Sequence, residues 1–317
     1  MVTRRTLIAA LLSAPLLATV PWPVSAEDAP LKVVASFSIL GDMAKEIGGT
    51  HIEVKTLVGP DGDAHVYEPS PADAKALGEA KLLIANGLNF EPWLPRLVKS
   101  SGFKGIEVLA SEGVAPREFS MAADSADHHD HDETSHDHDH GSNDPHAWQD
   151  LANGVIYVKN IAAALAKADP DHADLYRSNA SRYMAELETL NAKLKAQFAA
   201  IPEADRKVVT SHDAFGYFGK AYGITFLAPA GMSTEAEASA ADIARIIDQI
   251  RSDHIKAVFV ENITNTRLID QITRETGARV GGALFSDALS AADGPAPTYV
   301  KMFEYNAAEL IKALAGS

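Results

Sequence analysis

The sequence predicts an α/β protein of two Rossmann-like lobes with parallel sheets, joined by one long rigid helix. Three observations carry this. Short β-rich runs alternate with helical patterns, the signature of parallel strands linked by crossover helices. The second half of the chain repeats the rhythm of the first. Between them, residues 171–200 hold apolar side chains three or four apart, with no Gly or Pro.

The elements follow in order. Leu31–Phe37 is a first strand, and the short helix after it ends at Gly48-Gly49. Residues 52–58, 81–85 and 106–109 are further strands, and Leu151 to Lys167 is apolar at helical spacing. In the linking helix, Tyr176, Ala180, Tyr183, Leu187, Leu190, Leu194 and Phe198 form one face, bounded by Pro170 and Pro202. At about 1.5 Å per residue it is about 45 Å long. Residues 207–210, 224–227, 257–260 and 280–285 are the strands of the second half. Helices at 240–251 and 264–276 lie between them, and 298–314 closes the chain. The expected domains are a signal peptide at 1–26, an N-terminal lobe at 27–169, the linking helix at 170–201 and a C-terminal lobe at 202–317. A single helix is a stiff connector, so loop movement or a small tilt is expected in place of wide hinge closure.

The N-terminus reads as an export signal. Arg4 and Arg5 precede an apolar stretch too short and Pro-broken to span a membrane, and Val24-Ser25-Ala26 is a small-residue cleavage site. The paired arginines fit a twin-arginine signal as well as a Sec one. The chain has no cysteine, which leads us to expect a soluble, unlipidated periplasmic protein folding without disulfides. The formal charge of -15 becomes -17 once Arg4 and Arg5 are removed, which argues against nucleic acid or an anionic membrane as partner.

The histidines carry the chemistry. There are 12, and six of them (His128, His129, His131, His136, His138 and His140) crowd one stretch. The segment around them, 112–145, is rich in Asp and poor in apolar residues, so it cannot order itself by burial. Imidazole and carboxylate without thiolate suit a borderline divalent cation, zinc above all.

Four isolated residues stand at element ends. His65 lies on a Gly/Pro/Asp-rich loop after the second strand. His146, in Asp144-Pro145-His146-Ala147-Trp148, reads as the first turn of a helix capped by Asp144, whose positive end favours a neutral ring. His212 follows the strand 207–210, and Asp287 follows 280–285. Ligands of parallel sheets bind beyond the carboxyl ends of strands. Three imidazoles and one carboxylate can close a tetrahedron around zinc, leaving no open position for an activated water.

The ordered set Asp63-Ala64-His65 with Tyr67-Glu68-Pro69, then Asp144-Pro145-His146-Ala147-Trp148, Ser211-His212-Asp213-Ala214-Phe215 and Phe285-Ser286-Asp287-Ala288-Leu289-Ser290 resembles a known family. It is that of the periplasmic zinc/manganese solute-binding proteins of ABC importers, cluster A-I or zinc-uptake type. The resemblance spans essentially the whole mature chain. It implies two lobes bridged by a long helix, with His65, His146, His212 and Asp287 as ligands. It implies zinc as cargo, captured with high affinity and delivered to an inner-membrane permease and ATPase complex, and no enzymatic activity. Manganese-type members tend to carry a carboxylate where His212 stands, so zinc is preferred over manganese. The acidic, histidine-rich insertion looks like that of zinc-specific members. Its six histidines are expected to bind metal weakly, for capture or for docking with a periplasmic metallochaperone. The protein is expected to act as a monomer.

Glu261, after the strand 257–260, is placed to accept from a ligating imidazole. Glu68, three residues past His65, is within reach of the metal. His51, His172 and His254 read as solvated surface, and Trp93 and Trp148 as packing. The alternatives are a manganese carrier of the same fold, a zinc hydrolase using Glu68 or Glu261 as base, and a zinc buffer without a transporter.

Overall fold

The computed structural model describes residues 29–118 and 143–315. The export segment and the six clustered histidines lie outside the described residues. Each lobe is built on a four-stranded parallel sheet. The first comprises β1 (Leu31–Phe37), β2 (Ile52–Val58), β3 (Leu82–Ala85) and β4 (Ile106–Leu109), in the order β2-β1-β3-β4. The second comprises β5 (Lys207–Val209), β6 (Thr225–Leu227), β7 (Ala257–Glu261) and β8 (Arg279–Leu284), in the order β6-β5-β7-β8. β3 is buried along its whole length and β1 over its last five residues, as strands covered by helices on both faces must be. Both orders reverse beside their first strand, which opens a crevice at the carboxyl ends.

Helix α1 (Ser38–Gly48) follows β1 and stops where Gly49 adopts φ +56°, a conformation costly for any residue with a Cβ. Two short helices, α2 (Pro71–Glu79) and α3 (Leu94–Ser101), were not read from the sequence. They are too short to show a helical period, although Ser70 and Asp73 do form a capping box at the start of α2. Helix α4 (Leu151–Ala168) packs along α5 (Ala173–Ala199), whose 27 residues form the connector. The seven residues expected to form its apolar face are all buried. α5 touches α1 in the first lobe and α6 (Gly216–Tyr222) and α9 (Tyr299–Ala315) in the second.

The main core is continuous through both lobes, from Phe37, Phe90 and Trp148 to Phe218, Tyr299 and Phe303. A smaller, separate cluster of Val209, Ile246, Ile247, Ile250, Ile255, Val258, Ile269 and Ile272 holds α7 (Ala240–Ser252) and α8 (Arg267–Thr276) onto the second sheet. A shared core resists separation of the lobes, because parting them would expose large aromatic side chains.

Candidate metal centre

His65 rides on the turn after β2. Its backbone N–H donates to Asp63 Oδ1 (2.9 Å), and Trp93 Nε1 donates to the neighbouring Ala64 carbonyl (2.7 Å). The rings of His65 and Phe90 meet nearly perpendicular, with centroids 4.8 Å apart. Trp93 and Trp148 pack as expected, but both also donate hydrogen bonds next to the site.

His146 sits differently from expectation. Asp144 does not cap an α-helix; α4 begins seven residues later, at Leu151, with Asp150 as its cap. Ala147–Gln149 form a single 3-10 turn, and the helix-end argument for a neutral His146 fails with it. Instead, Asp144 Oδ1 accepts from the backbone N–H of His146 (3.0 Å) and lies 2.8 Å from ring Nδ1. The other oxygen of Asp144 pairs with Arg117 (2.8 Å), and its carbonyl accepts from Tyr217 (3.1 Å).

His212 follows β5. Glu261 Oε1 accepts from the N–H groups of Ser211 (2.9 Å) and His212 (2.8 Å). Its Oε2 lies 2.7 Å from His212 Nδ1, off the line of a hydrogen bond. Asp287 follows β8. Ring nitrogens turned toward carboxylates leave the opposite nitrogens facing inward.

Those nitrogens converge. His65 Nε2 and His212 Nε2 each lie 3.2 Å from Asp287 Oδ2, and His146 Nε2 lies 3.3 Å from His65 Nε2 and 3.6 Å from Asp287 Oδ1. The four ligand atoms are all within 4.8 Å of one another, and all four residues are buried. Among the described residues this is the only such group of His, Cys, Asp or Glu. Bonds of about 2.0–2.2 Å to a tetrahedral ion set donors roughly 3.3–3.6 Å apart, close to the spacings found. Asp287 Oδ1 is buried without a hydrogen-bond partner, a state that a bound cation would relieve.

The charges are coupled. Burial works to lower His146, but the Asp287 carboxylate and the bond to Asp144 outweigh it and push it up to about 9. Burial likewise opposes the charged form of His212, and Glu261 and Asp287 overcome it, so its pKa lies well above the ordinary value. Asp287 is opposed by burial but held well below the usual carboxylate range by His146 and His212. The raised imidazoles favour bound protons, which any cation taken up by this group would have to displace.

Glu261 stands directly behind His212, whereas Glu68 is exposed and outside the cluster. His254 is exposed as expected. His51 and His172 are not freely solvated: both are half-buried, with ring centroids 4.0 Å apart and His172 Nδ1 2.8 Å from Asp169. Sequence reasoning missed the roles of Arg117 and Asp144; the one available signal was a carboxylate two residues before a candidate ligand.

Comparison with known proteins agrees with this architecture. The family model for the periplasmic zinc-uptake complex component A matches residues 33–313. The manganese-binding lipoprotein MntA of Halalkalibacterium halodurans is 32% identical over 286 residues, covering 90% of this chain and 89% of that one. The iron ABC transporter substrate-binding lipoprotein MtsA of Streptococcus pyogenes serotype M1 is 32% identical over 305 residues, 92% and 91% of the two chains. Among solved structures, the periplasmic zinc-binding protein TroA of Treponema pallidum superposes with a TM-score of 0.81 at 27% identity, covering 90% and 99%. The manganese-bound periplasmic metal-binding protein of Candidatus Liberibacter asiaticus gives 0.76 at 30% identity, covering 89% and 98%. These names overturn one expectation. Relatives spanning nine-tenths of the chain are lipoproteins, against the expectation of a soluble, unlipidated protein, and that reading of the localisation is withdrawn.

Proposed function

From the premise that the chain belongs to the family of periplasmic zinc-uptake complex A components, we propose that its cargo is zinc and that His65, His146, His212 and Asp287 are the ligands. As the metal-binding component of an ABC transporter it serves a membrane permease and ATPase, and it is not an enzyme. The observation that carries the zinc reading is the donor set: three imidazole nitrogens and one carboxylate, buried and mutually spaced for a small tetrahedral ion. Manganese is the second reading, favoured by one feature. Both oxygens of Asp287 face the cluster, at 3.2 and 3.6 Å from ring nitrogens, so the carboxylate can supply a fifth donor. Imidazole donors nonetheless rank zinc far above manganese.

Competition titration of the whole chain decides between them. Zinc should displace bound manganese completely at equimolar concentration; retention of manganese would overturn the zinc assignment. The six histidines between residues 128 and 140 would bind further zinc, more weakly than the buried set. Their work in this proposal is capture, or docking of a periplasmic metallochaperone, with the carrier acting as a monomer. Deleting residues 123–141 should remove the weak sites and leave one tight one.

A further inference from the structure

The turn that carries Asp287 belongs to the second lobe by chain and is hydrogen-bonded to both lobes. On one side Asn306 of α9 clamps Phe285 twice, accepting from its N–H (2.9 Å) and donating to its carbonyl (2.8 Å). On the other, Leu289 N–H donates to Ser38 Oγ (2.9 Å), and the Leu289 carbonyl accepts from Asp61 N–H (2.9 Å). At the centre, the Ser286 carbonyl accepts from two side chains of the 3-10 turn that follows His146: Trp148 Nε1 (3.0 Å) and Gln149 Nε2 (2.6 Å). Gln149, Ser286 and Asp287 are all fully buried.

We propose that Gln149 is a positioning residue for the cation, holding the Asp287 carboxylate in register with His146. Gln149 lies three positions after His146, and its acceptor is the carbonyl of the peptide that joins Ser286 to Asp287. The same short segment thus presents one ligand and grips the backbone beside another. Gln149 gains little else from its place: its Oε1 is buried with no hydrogen-bond partner, as is Ser286 Oγ. A side chain kept for packing alone would be better apolar. Trp148 shares the acceptor but also packs its ring against Phe37 and Phe90 in the core, so Gln149 is the cleaner of the two to test.

This inference rests on Asp287 being a ligand, and the test separates the two. Gln149→Met keeps the volume and removes the donor. Zinc affinity would be measured for the full chain, for Q149M, for Asp287→Ala and for the double variant, with the melting temperature of each in metal-free form. Q149M should weaken zinc binding about 10- to 100-fold, the range for groups that orient ligands, without lowering the metal-free melting temperature. In the D287A background the same change should have no effect, because nothing remains to be positioned. An equal loss in both backgrounds, an unchanged affinity in Q149M, or a loss matched by a fall in the metal-free melting temperature would overturn the positioning role. D287A binding zinc as tightly as the unaltered chain would overturn the ligand reading itself.

Discussion

On the inner side of the cleft, His146 and His212 each face a buried carboxylate that is itself fixed. Asp144 is held by Arg117 and Tyr217, and Glu261 by two backbone N–H groups. His65, on the turn after β2, has Phe90 nearly perpendicular against its ring and one backbone hydrogen bond to Asp63. It is also the most exposed of the four, at 7% against 0% for His146 and 1% for His212. The contrast separates a socket from a closing piece. If the four residues are the ligands, imidazoles with fixed partners would need little reordering when an ion arrives, and His65, with fewer fixed partners, would need more.

The largest effects test that contrast directly. His146→Ala and His212→Ala should each lower zinc affinity by more than the roughly 100-fold seen when only an orienting partner is lost. His65→Ala should lower it by less than either, measured by competition with a chromophoric chelator. Equal losses for all three would erase the distinction. One step down, Asp144→Asn and Glu261→Gln should weaken binding about 10- to 100-fold while leaving the ligands in place. Weakening by these variants with no change in coordination would sharpen the comparison.

The pH dependence is a subtler probe, and its sign follows from the directions of the shifts. His146 and His212 are raised in the metal-free protein, so zinc would have to displace their protons, and affinity should climb with pH, the His146 proton being lost near about 9. Because the folded value for His146 exceeds its unfolded value of about 6.5, its stabilising effect is complete below that pH and fades as pH rises through about 9. The melting temperature of the metal-free protein should therefore lose this contribution between pH 7 and 9, and the zinc-loaded protein should not. The smallest effect is expected at His172, which lies by His51 and Asp169 and away from the cluster: His172→Ala should leave zinc affinity unchanged.

Much of this was legible in the chain. The linking helix was legible because all seven apolar positions of its face are spent on burial, and burial writes a period into sequence; its ends, Ala173 and Ala199, fall just inside the expected 171–200. β1 and β3 were legible for the same reason. The helices α2, α3 and α6 span fewer than three turns, too few for a period to show. At the site, the residue types and their places past strand ends pointed to His65, His212 and Asp287 as candidates. What the sequence misjudged was the surroundings of His146. The Asp-Pro-His motif fits a helix start and an Asx-type turn equally well; the turn is what was built, with Asp144 Oδ1 accepting from the His146 N–H and the helix starting only at Leu151. The grip of Gln149 on Ser286 was invisible too, since it joins residues 137 apart.

Zinc-edge anomalous diffraction from crystals of the zinc-loaded full chain tests the central claim most directly. The predicted result is a single strong peak in the cleft, bonded at about 2.0–2.2 Å by Nε2 of His65, His146 and His212 and by an oxygen of Asp287. A peak held elsewhere, or one from which Asp287 or two of the imidazoles stand apart with solvent in their place, would contradict it.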